Sequence, residues 1–77
     1  MPKLPVLSAK DVITALSKAG FIYAPKKGKG SHAAMVKKET DSTLLVIVPK
    51  RKAIPKSTLM AIIKQAGLTK DEFLSLL

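Results

Sequence analysis

The chain has no cysteine, no tryptophan, one histidine, one tyrosine, two phenylalanines and only five carboxylates in 77 residues. Without cysteine there are no disulfides and no thiolate ligands, which accords with a cytoplasmic location. One histidine alone cannot assemble a zinc site. The carboxylates are Asp11 in one helix cap, Glu39 and Asp41 in a turn, and Asp71 and Glu72 in a second cap. No two are spaced for a shared site, so two-metal phosphodiester chemistry has no ligands here. The longest aliphatic run, residues 44–48, is far short of the ~20 residues that cross a bilayer. Met1-Pro2-Lys3-Leu4-Pro5 carries no apolar signal core. We therefore expect no metal, no cofactor and no membrane association, in one domain over residues 1–77.

What the chain has is positive charge. Fourteen Lys/Arg give a net +9, and the excess is concentrated. Residues 25–56 hold nine basic groups against Glu39 and Asp41, a net of +7. The field of such a segment suits a polyanion or an acidic protein.

The apolar fraction of 47% is that of a folded protein, and its pattern reads in order. Ser8 and Asp11 form a capping box before an apolar stripe of Ala9, Val12, Ile13 and Leu16, and Gly20 stops that helix near residue 19. Residues 21–24 make a short strand ended by Pro25. A basic glycine loop, 26–30, leads into a strand over 32–38. Residues 39–42 are a turn by composition. Residues 43–48 are the clearest strand, closed by Pro49. A second basic loop, 50–56, precedes a helix capped by Ser57 and ended by Gly67. Thr69 and Glu72 cap a last helix that runs to the C-terminus.

The order is α-β-β-β-α plus a short helix. It predicts an α+β fold, with a three-stranded antiparallel sheet and helices packed on one face. In the third strand Leu45 and Ile47 point one way, and Leu44, Val46 and Val48 the other. Helices on one side alone would leave part of that second set uncovered, either as a partner surface or as ordinary edge residues.

For chemistry, the Gly28-Lys29-Gly30-Ser31 run lacks the earlier glycine of a nucleotide-binding loop. His32 follows this basic loop directly. A neutral imidazole can take the proton of a ribose 2′-hydroxyl, and an imidazolium can protonate the leaving 5′-oxygen. Nearby cations can stabilise the phosphorane without a metal. Backbone N–H groups at Gly28 and Gly30 can form a phosphate nest. Ser31 reads as a loop hydrogen-bonder rather than a nucleophile, because strand neighbours face opposite ways. A lone histidine is ordinarily a solvent-exposed spectator. On residues alone, catalysis, RNA binding without catalysis, and docking of an acidic protein all stay open.

Ser8-Ala9-Lys10-Asp11-Val12-Ile13, Ala19-Gly20-Phe21, Gly30-Ser31-His32, Val48-Pro49 and Ile62-Ile63-Lys64-Gln65-Ala66-Gly67-Leu68 resemble the HicA (YcfA-like) toxin family, in register over nearly the whole chain. The resemblance implies a double-stranded-RNA-binding-domain-like fold and the toxin of a type II toxin–antitoxin system. It also implies an endoribonuclease (mRNA interferase) that needs the histidine of Gly-Ser-His, here His32, and neutralisation by a HicB-type antitoxin. The basic and loop residues expected to hold RNA are Lys26, Lys27, Lys29, Gly30, Ser31, Lys50, Arg51 and Lys52. An acidic antitoxin would cover His32 and use the sheet residues around Leu44 and Val46. Two positions depart from the family pattern. Met35 stands where an aromatic residue is frequent, which removes a base-stacking contact. Arg51 stands where a second histidine is frequent, and it can still hold phosphate.

Overall fold

The computed structural model describes residues 4–24 and 30–77. Helix α1, Ala9–Lys18, opens on the expected box: the Asp11 N–H donates to Ser8 Oγ at 3.2 Å, and the Ser8 N–H donates to the Asp11 carboxylate at 3.1 Å. It ends one residue sooner than expected. Gly20, at φ +100, lets its N–H reach the Ser17 carbonyl while the Phe21 N–H reaches that of Leu16, a Schellman closure. That closure consumes the Phe21 N–H, and the Phe21 side chain is buried. Strand β1 therefore shrinks to Ile22–Tyr23, not residues 21–24.

Strands β2, His32–Lys38, and β3, Thr43–Pro49, form the long hairpin across the expected 39–42 turn. The sheet order is β1-β2-β3, antiparallel throughout. β3 runs one residue further than expected, so that Pro49 stands opposite His32. The expected strand end at Pro25 lies outside the described residues.

Helix α2 spans Lys56–Gln65, and its N-cap is Pro55, not Ser57. Pro55 lies at φ −57 and ψ 147, an extended conformation that suits both proline and an N-cap, and its carbonyl accepts the Leu59 N–H at 2.9 Å. Ser57 is thus inside the first turn, and no side chain caps this end. Gly67 (φ +70) and Leu68 close the helix on Lys64 and Ile63 as the Schellman reading required. Helix α3, Lys70–Ser75, carries the Thr69–Glu72 box and stops short of the C-terminus at Leu76.

Residues opposite one another in a ladder share a face. Met35 opposes Val46, and Ala33 opposes Val48. Met35, Val46 and Val48 are fully buried with Val12, Leu16, Leu59, Ile62 and Phe73 in one core. The helices thus cover the face of Val46 and Val48, with Leu44 packed against its margin. This reverses the expectation of an uncovered surface around Leu44 and Val46. The set with three large aliphatics goes inward, and Leu45 and Ile47 point out. Met35 also corrects the stacking argument. Three residues past His32 is an odd spacing along a strand, so position 35 faces the helices, where Met35 is fully buried.

The two capping boxes carry a pH dependence. The Ser8 backbone N–H, then its hydroxyl, holds the Asp11 carboxyl below its ordinary range, and Thr69 does the same to Glu72. A lowered folded-state pKa gives stability that is present above the unfolded value and lost as pH falls through the folded one. The melting temperature is therefore expected to fall on acidification below about pH 4. In the pair Asp11→Asn and Glu72→Gln, thermal scans across that range should show a shallower fall. An unchanged slope would remove the caps from the acid response.

Candidate functional site

His32 is exposed at the first position of β2, where the ladder fixes its backbone against Pro49. Beyond Pro49 the pairing continues, with the Lys50 N–H donating to the Ser31 carbonyl at 2.9 Å. The Arg51 N–H then turns back to the Pro49 carbonyl at 2.9 Å, a tight three-residue turn. The Arg51 carbonyl accepts from the first N–H of α1, at Ala9, also at 2.9 Å. Further along, the Ile54 N–H donates to the Leu7 carbonyl, and the Ile54 side chain is buried. The second basic loop is thus tied at its start and its middle. Lys50 and Arg51 have exposed side chains on a backbone held in place.

An open groove of about 420 Å³ runs along this end of the molecule, lined by Ser31, His32, Ile47, Pro49, Lys50, Arg51, Pro55 and Thr58. Among the described residues it is lined by two cations and one imidazole, and by no carboxylate. The start of α2 forms one wall, with no side-chain cap and no acidic residue in its first turn. Unpaired N–H groups at a helix start carry partial positive charge, so this wall adds to the field of Lys50 and Arg51. The groove is therefore positively charged along its described lining.

Of the expected site residues, Ser31, His32, Lys50 and Arg51 line this one groove. Lys52 is exposed but does not line the groove. Lys26, Lys27, Lys29 and Gly28 lie outside the described residues. Gly30 is described, and it is not in the left-handed region that the proposed nest would use. A Cβ there would meet nothing within 4 Å, so neither conformation nor crowding demands glycine at this place. Thr58 and Pro55 were missed as groove residues. Their place depends on how the start of α2 packs beside β3, which the spacing of residues does not reveal.

The Ser31 Oγ lies 2.9 Å from His32 Nδ1, within hydrogen-bond distance. Among the described residues no three of His, Cys, Asp and Glu gather as metal ligands, and no helix is long and apolar enough to cross a membrane.

Residues 9–68 match the family described as the HicA toxin of bacterial toxin–antitoxin systems. The chain belongs to the HicA toxin family. The match covers α1, the described sheet and α2, and so includes every residue lining the groove. No curated protein matches the chain significantly. As a HicA toxin, the chain has an antitoxin for a partner.

Proposed function

We propose that this HicA toxin is a metal-independent endoribonuclease that cleaves mRNA in the cytoplasm, with His32 as its catalytic residue and a HicB-type antitoxin as its inhibitor. The observation that carries the reading is one imidazole in the same groove as two cations whose backbones are held in place, with no carboxylate among the described residues that line it. His32 takes the proton of a ribose 2′-hydroxyl, and the 2′-oxygen attacks the adjacent phosphorus. The bond to the 5′-oxygen breaks, leaving a 2′,3′-cyclic phosphate, and the proton removed from the 2′-oxygen is returned to the 5′-oxygen. Lys50 and Arg51 stabilise the dianionic phosphorane between these steps. Lys26, Lys27, Lys29 and Lys52 hold the flanking RNA backbone, and their contribution weakens with salt.

Two consequences of this chemistry are measurable. Cleavage of RNA by the purified toxin is expected to persist in excess EDTA and to leave cyclic-phosphate ends, detected by mass spectrometry of the fragments. Loss of cleavage on chelation with recovery in magnesium would refute the mechanism. Salt-sensitive RNA binding with no cleavage at all would leave a double-stranded-RNA-binding module in its place.

A further inference from the structure

We infer that Ser31 is the positioning residue of His32: its hydroxyl accepts a hydrogen bond from Nδ1–H, which keeps Nε2 bare for proton transfer. The inference rests on the proposed role of His32 as base. Adjacent residues in a regular strand point to opposite faces, so neighbouring side chains do not ordinarily meet. Ser31 lies in the turn just before β2, where that alternation has not begun, and its Oγ reaches Nδ1 at 2.9 Å. The contact has a fixed base. The Ser31 carbonyl accepts the Lys50 N–H at 2.9 Å, which holds the serine backbone to the end of β3.

A neutral imidazole has one N–H and one lone pair, on different nitrogens. A hydroxyl can donate to Nδ1 or accept from it, and the two cases have opposite consequences. If Ser31 donated, Nε2 would carry the hydrogen and could take no proton from RNA. If Ser31 accepts, Nε2 has the lone pair, and among the described residues nothing else bonds to it. Proton transfer to Nε2 then leaves Nδ1–H in place and makes its donor cationic. The bond to Oγ strengthens as charge develops on the ring, so it favours the transition state over the ground state. Ser31 is exposed, and water competes for the same hydrogen bond, so about a tenfold effect on turnover is expected.

The chain has a single histidine, so its ring nitrogens can be read without ambiguity in the whole protein. Long-range ¹H–¹⁵N correlation spectra at a pH where the ring is neutral should show mainly the Nδ1–H tautomer. Ser31→Ala is expected to shift the population toward the Nε2–H form and to lower kcat about tenfold with KM little changed. Ser31→Thr, which keeps the hydroxyl, should restore both. A parent protein mainly in the Nε2–H form, or a tautomer population unmoved in Ser31→Ala, would overturn the inference. A rise in KM with kcat unchanged would also overturn it, making Ser31 a simple RNA contact. The spectra need no RNA, so they judge Ser31 even if His32→Ala retains cleavage and the base assignment fails.

Discussion

His32→Ala is expected to lower RNA cleavage by about a thousandfold, within the range that a positioned acid or base contributes. The fold should be unaffected. The side chain is exposed and outside the core, and surface substitutions of that kind usually change stability by no more than about 0.5 kcal/mol. Cleavage under single-turnover conditions, with a thermal melt of the same sample, separates lost chemistry from lost structure. RNA affinity measured by filter binding should change little, because Lys50, Arg51 and the other cations remain. A variant that cleaves at the parental rate would end the assignment of His32. The chain offers no second imidazole to take over the proton, which makes this residue more decisive than any one lysine.

Much of the fold was legible because local signals agreed with one another. Ser8 with Asp11, Thr69 with Glu72, and glycines at 20 and 67 each predicted a helix end that the backbone adopts. The errors came where two signals competed for one residue. Phe21 looked like strand, but its N–H belongs to the α1 closure. Ser57 looked like a cap, but the extended Pro55 takes that place and α2 starts earlier, at Lys56. Which face of β3 turns inward was not legible from alternation, since both faces are apolar. The partner strand decides it by placing Met35 against Val46. At the site, the motif marked Ser31 and His32, and composition marked Lys50 and Arg51. Their meeting depends on the β2–β3 register, which puts His32 opposite Pro49. Thr58 joins the groove only through the entry angle of α2, and sequence spacing does not encode that angle.

The corrected faces of the sheet change the expected antitoxin interface and give the second large effect. The outer face has Ile22 at 67% exposure and Leu45 at 44%, with Val36 and Ile47 half-buried beside them. Ile22 opposes Val36, and Val36 opposes Leu45, so the three lie in a row across the strands. His32 lies on the same face four residues from Val36 along β2, roughly 13 Å at strand spacing. A protein that buries about 800 Å² on each side would cover the row and reach His32 as well. The net charge of +9 favours an acidic partner, with the apolar row as the dry centre and lysines such as Lys38 at its margin. Leu45→Glu is therefore expected to weaken antitoxin binding at least about thirtyfold, as loss of a central anchor does. It should leave RNA cleavage and melting temperature near the parental values, because Leu45 faces away from the core. Leu44→Glu is expected to behave differently. Leu44 packs against the core margin, and its Cδ1 stands 3.7 Å from where a Cβ on Gly67 would be, so a carboxylate there should lower the melting temperature. Calorimetric titration of toxin with antitoxin, together with growth of cells expressing both, measures the difference. Binding of Leu45→Glu within threefold of the parent would place the antitoxin elsewhere. Inhibition would then have to run through the basic loops alone, with a correspondingly steep dependence on salt.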